Sequence, residues 1–127
     1  MAELRSRLAG VRVFVVEDEF LVSIALEDDL REAGAIVVGP FNDLGSGLAG
    51  AAREAFDVAV LDVNLNGTMI YPLADELMAR GLPLMFLSGY TAADMPQRFA
   101  TLPRLTKPYD LTRLIDAIAR LAPPRED

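Results

Sequence analysis

The sequence predicts an α/β protein with a doubly wound, five-stranded parallel sheet. Two observations predict it. Short runs rich in Val, Ile and Leu alternate with longer segments whose apolar residues recur at helical spacing. The short runs are apolar throughout, as strands buried on both faces of a sheet require. Such an alternation, repeated along a chain, places helices on both sides of a parallel sheet.

The first strand is Val11 to Val16, a β-branched run that stops at three acids, Glu17, Asp18 and Glu19. A helix follows with Val22, Ala25, Leu26, Leu30 and Ala33 on one face and Gly34 as its stop. Ala35 to Gly39 is the second strand. Asp43 is placed to cap a second helix running through Phe56, although Gly45, Gly47 and Gly50 oppose helix formation. Asp57 to Asp62 is the third strand. Leu73, Ala74, Leu77 and Met78 form the next helical stripe, which Gly81 and Pro83 end. Leu82 to Leu87 is the fourth strand and Pro103 to Thr106 the fifth. Pro96 and Pro103 crowd the segment between them, so a shortened or irregular fourth helix is expected there. Asp110 caps the last helix, with Leu111, Leu114, Ile115 and Ile118 inward.

The 127 residues suit one domain, residues 1–127 with a core over about 11–121, and no output domain is expected. No internal repeat or linker interrupts the apolar pattern. Composition excludes whole classes of chemistry. Without cysteine there is no disulfide framework, thiolate metal site or cysteine nucleophile. Without histidine there is no Ser-His triad and no histidine-ligated zinc or haem. Nineteen acids against twelve bases give a net charge of -7, which disfavours nucleic acid and anionic membranes as partners. No uncharged apolar run reaches the length of a membrane span, and Met1 to Gly10 does not read as a signal peptide. A cytoplasmic location is the expectation.

In open parallel sheets ligands sit beyond the carboxyl ends of the strands. Strand one ends in Glu17 and Asp18, strand three in Asp62, strand four in Ser88 and Gly89, and strand five in Lys107 and Pro108. Taken singly, each group has a plainer role as a cap, a turn or a solvated surface residue. Their joint placement at one rim points to one site. Clustered carboxylates need a cation, and all-oxygen ligands select a hard ion, Mg²⁺ or Mn²⁺. A carboxylate beside that ion attacks phosphorus to give an acyl phosphate. The serine hydroxyl and the lysine then serve the phosphoryl oxygens. With no histidine and no second base in view, turnover of a diffusible substrate is not expected, and the chain is read as a phosphoacceptor and not as an enzyme.

The segments VEDE (Val16 to Glu19), DVNLNG (Asp62 to Gly67), SGY (Ser88 to Tyr90) and TKP (Thr106 to Pro108) resemble the receiver domain of bacterial two-component response regulators. The resemblance spans about Val11 to Leu121. It implies the flavodoxin-like, CheY-like (βα)5 fold with strand order 2-1-3-4-5. It implies Asp62 as phosphoacceptor and Glu17, Asp18, Asp62 and the backbone carbonyl of Asn64 as the metal site. Ser88 and Lys107 would contact the phosphoryl group, and Gly67 would close the loop. The family's aromatic switch residue, three positions before the lysine, is replaced by Arg104. PLMFLSGY (Pro83 to Tyr90) and YPLADEL (Tyr71 to Leu77) further resemble the single-domain FATGUY receivers of alphaproteobacteria, whose signature is roughly PFxFATGY. Pro83, Phe86, Gly89 and Tyr90 agree with it, whereas Leu84, Leu87 and Ser88 differ.

The implied partners are a sensor histidine kinase or histidine phosphotransferase docking near the first helix, and an unknown downstream protein, with a monomer favoured over a homodimer. Gly89, Tyr90 and Arg104 are the switch candidates, and Gly89 to Pro103 the element expected to rearrange. Three other readings compete. One is a receiver fold used only for docking, or as a phosphate sink. Another is a haloacid-dehalogenase-type phosphohydrolase, which would need an acid where Asn64 stands. The third is a flavodoxin, which would need a Ser/Thr-rich phosphate loop after strand one.

Overall fold

The computed structural model describes residues 6–89 and 95–123. The main sheet is parallel throughout, with strands β1 (Arg12–Val16), β2 (Ile36–Phe41), β3 (Val58–Asp62), β6 (Leu84–Ser88) and β7 (Arg104–Thr106) in the order β2-β1-β3-β6-β7. A two-stranded antiparallel hairpin, β4 (Asn64–Leu65) and β5 (Thr68–Met69), follows β3. The α-helices whose full length lies among the described residues are α1 (Phe20–Glu32), α2 (Leu44–Arg53), α3 (Tyr71–Ala79) and α4 (Leu111–Leu121). The predicted doubly wound sheet is therefore the one observed. No described helix is long and apolar enough to cross a membrane.

The two faces of the sheet have separate cores. Val13, Val15, Val60, Met85 and Leu87 pack on Leu26 and Leu30 of α1 and on Leu114, Ile115 and Ile118 of α4. Phe14, Val16, Leu61 and Phe86 pack on Ala51 of α2 and on Leu73, Ala74 and Leu77 of α3. Alternate residues of each strand thus serve opposite faces, which is why the runs carry no polar alternation.

Several boundaries differ from expectation for identifiable reasons. β2 runs on past Gly39 to Phe41, because an edge strand tolerates Pro40 and a bulge at Gly39 absorbs the irregularity. Gly39 has φ +105 and lies against Val15, where a Cβ would collide with the carbonyl oxygen. α2 ends at Arg53 instead of Phe56, since Glu54 turns extended and Phe56 stacks on Phe14 at 4.5 Å. The glycines of α2 are a packing device: a Cβ on Gly50 would run into the Phe41 ring. Met78, placed inward by periodicity, is 40% exposed, and Ala25 of α1 is exposed as well. The inner faces of both helices are narrower than their apolar stripes.

Between β6 and β7 the described residues hold a single 3-10 turn, Gln97–Phe99, and no α-helix. Phe99 is fully buried, stacked on Tyr71 at 5.1 Å and edge-on to Phe86 at 5.6 Å. Arg98 reaches back to Asp75 of α3 at 2.8 Å and lies over the Phe99 ring. Within the segment expected to rearrange, the stretch around Arg98 and Phe99 is thus packed down. Tyr90 lies outside the described residues.

Candidate functional site

Because the main strands are all parallel, their carboxyl ends share one rim, and an open cleft of about 530 Å³ lies over it. Asp18, Glu19, Asp62, Asn64, Asn66, Gly67, Ser88, Gly89 and Lys107 line it. Asp62 ends the central strand β3 and is only 5% exposed. Glu17 follows β1 and is fully buried, and Ser88 ends β6 almost as deeply.

Lys107 ties the rim together. Its Nζ lies 2.8 Å from Glu17 Oε1, 3.1 Å from Glu19 Oε1 and 3.2 Å from Asp62 Oδ2. Burial works against its charge, yet the hydrogen bonds to Glu17 and Glu19 and the charges of Asp62 and Glu17 outweigh it and raise its pKa. Asp62 is pushed up to about 8, first by burial, then by the hydrogen bond with Asp18 and the charge of Glu17, against the opposing pull of Lys107. The rim carries more negative charge than one ammonium offsets.

That imbalance fits a cation. One carboxylate oxygen from each of Glu17, Asp18 and Asp62 lies within 4.8 Å of the others. Glu17 Oε1 is buried and, although close to Lys107, makes no hydrogen bond among the described residues. The donors are hard oxygens, suited to Mg²⁺ or Mn²⁺.

Part of the cleft wall is the β4–β5 hairpin, where the sequence predicts a loop closed by Gly67. Asn66 and Gly67 both have positive φ, 58° and 96°, as a tight two-residue hairpin turn demands. The Asn-Gly pair was the available signal. Asn64 Oδ1 accepts from Gly67 N at 2.6 Å, which closes the turn. Glu19 was also unassigned. It precedes α1 as its N-cap residue but makes no side-chain capping bond, and its carboxylate goes to Lys107.

The switch candidates fall differently. Gly89 lines the cleft but has no left-handed backbone conformation, and open space surrounds its missing Cβ. Arg104 pairs in register with Phe86, and its Nη1 is buried without a hydrogen-bond partner among the described residues.

A profile of the response regulator receiver domain matches residues 13–119. The structure is similar to SdrG from Sphingomonas melonis Fr1, with 34% identity and a TM-score of 0.78 over 88% of this chain and 96% of that one. A BeF3-activated conformation of SdrG from Pseudomonas melonis Fr1 gives 34% identity and a TM-score of 0.75 over 90% of this chain and 98% of that one. Among curated proteins, PdtaR of Mycobacterium tuberculosis, a transcriptional regulatory protein, is 28% identical over 84% of this chain and 54% of its own length. The response regulator FleR of Pseudomonas aeruginosa is 31% identical over 89% of this chain and 25% of its own length. The chain thus spans about half or less of the curated relatives it matches. With its sheet order, its acidic rim and this profile match in agreement, the chain belongs to the response regulator receiver domain family.

Proposed function

We propose that this receiver is a phosphorylation switch in which Asp62 accepts a phosphoryl group from a sensor histidine kinase or histidine phosphotransferase. The observation that carries the reading is a buried carboxylate at the end of the central strand with a lysine ammonium 3.2 Å away. The likeness to SdrG, for which a BeF3-activated conformation is known, supports it.

In the proposed step an Asp62 oxygen attacks phosphorus. The P–N bond to the donor imidazole, which is protonated on its other ring nitrogen, breaks; the imidazole leaves neutral with the bonding electron pair, and an acyl phosphate forms on Asp62. Mg²⁺, held by Glu17, Asp18, Asp62 and the Asn64 carbonyl, would supply the positive charge that keeps Asp62 ionised and offsets charge on the transferring oxygens. Lys107 trades its Asp62 contact for a phosphoryl oxygen. Ser88, which also lines the cleft, would donate to another. The product carries roughly -1.5 to -2 charge in place of one, and three strong acceptors. Receiver and donor meet over α1, where Phe20 and Leu21 are 74% and 78% exposed beside the acidic rim. The result is a change of protein partner and not turnover of a substrate, in the cytoplasm and with no nucleic acid contact by this domain.

The test is transfer from a ³²P-labelled kinase or phosphotransferase to the wild type and to Asp62→Asn. Label should pass to the wild type as an alkali-labile acyl phosphate and should not pass to the variant. Equal labelling of both would remove Asp62 from the reaction.

A further inference from the structure

Tyr109 is absent from the acceptor chemistry, yet it is firmly tied. Its hydroxyl donates to Asp29 Oδ2 on α1 at 2.8 Å, across 80 residues of chain. Burial, then the hydrogen bond and the charge of Asp29, hold the phenol above its ordinary pKa, so it remains a donor at working pH. Two residues earlier, the backbone N–H of Lys107 donates to the Ser88 carbonyl at 3.0 Å. Only Pro108 stands between, and its ring fixes φ. Beyond Tyr109, Asp110 accepts from Arg113 N at 2.9 Å and starts α4. The loop that carries Lys107 is therefore slung between β6 on one side and α1 on the other. A lysine ammonium is a point charge on a flexible stem, so its position depends on where its backbone is held.

We propose that the Tyr109–Asp29 hydrogen bond is a strap that places Lys107 for phosphoryl acceptance, which makes Tyr109 and Asp29 positioning residues for the reaction at Asp62. The inference rests on the acceptor reading above. Sequence distance hides the strap: a tyrosine after a Lys-Pro pair and an acid late in α1 have no local signal joining them. Both residues also border a groove of about 350 Å³ with Leu21, Val22, Ala25 and Leu111, so a test must separate positioning from docking. A small phosphodonor does so, because it needs no protein surface.

The experiment measures the rate of Asp62 phosphorylation by acetyl phosphate at saturating Mg²⁺, where an Asp62 oxygen attacks phosphorus and acetate leaves. Tyr109→Phe keeps the ring and removes one hydroxyl. Asp29→Leu removes the acceptor, and Asp29→Asn retains an acceptor oxygen. The maximal rate should fall about tenfold in Tyr109→Phe and Asp29→Leu and recover in Asp29→Asn, a loss typical of a misplaced reacting group. Mg²⁺ affinity, measured separately, should stay within about twofold, since no metal ligand is touched. A drop in thermal stability with an unchanged rate per folded molecule would reduce the strap to a structural bond and overturn the proposal. So would equal rates throughout. A wild type that takes no phosphoryl group from this donor would overturn the acceptor reading instead, and the strap's role with it.

Discussion

Lys107 neutralises a buried carboxylate cluster, and the cost of removing it sets the first expectation. Glu17 is fully buried and Asp62 nearly so, and both face the same ammonium. Stripping one partner from a buried ion pair leaves uncompensated charge, so Lys107→Met should destabilise the metal-free protein by about 3 kcal/mol, read as a lowered denaturation midpoint. Asp62→Asn should act in the opposite direction. It removes one of several crowded carboxylates, and its melting temperature without divalent ions should exceed that of the wild type. A lower one would show that Asp62 serves the fold and not a strained site. The acids Glu17 and Asp62 were legible in the sequence because each stands directly at the end of an apolar run, whereas Lys107 follows the short, half-polar fifth strand. What was not legible is how Lys107 divides itself: Glu19 became its third partner only through the fold.

At the scale of elements, local chemistry and tertiary packing make separable claims. α2 begins where Asp43 accepts from Ser46 N at 2.7 Å, and that bond with the Ser46 side chain lowers the Asp43 pKa. A carboxyl with a lowered folded-state pKa contributes stability above its unfolded pKa and loses it as pH falls through the folded value. The melting temperature gap between wild type and Asp43→Ala should therefore be full near neutral pH and should close below about pH 4. A gap independent of pH would deny the charge a part in the cap. Gly50 makes the tertiary claim: Gly50→Ala should cost about 1–3 kcal/mol despite higher helix propensity, because the Phe41 ring occupies the space. Propensity alone predicts the reverse sign. This explains why the glycines read as an argument against a helix that exists. The hairpin at Asn66 and Gly67 is the converse: its turn signal was local, but the motif around it drew attention to chemistry and not to backbone. Phe99 holds the 3-10 turn where an α-helix is reduced, and Phe99→Ala should cost about 3–5 kcal/mol in chemical denaturation.

Across the whole molecule, a parallel sheet gathers groups from four strand ends onto one rim, and this makes most of the site readable in the sequence. Burial on both faces wrote the strands as unbroken apolar runs, and the acids mark where those runs meet solvent. Contacts bridging elements far apart in sequence, such as Tyr109 to Asp29 and Arg98 to Asp75, left no such trace. The rim's excess negative charge carries a global consequence. Mg²⁺ should raise the melting temperature of the wild type in a concentration-dependent way, as binding to the folded state alone requires, and should do so far less in Asp62→Asn. On the proposed acceptor reading, the same charge imbalance should make phosphoryl acceptance depend on the divalent ion.

The most direct measurement is the intact mass of the protein after incubation with acetyl phosphate or phosphoramidate, with Mg²⁺ or with chelator, for wild type and Asp62→Asn. The account predicts a single phosphoryl adduct on the wild type that requires Mg²⁺ and is lost in the variant. An adduct that forms without Mg²⁺, an adduct that persists in Asp62→Asn, or no adduct from either donor would contradict it.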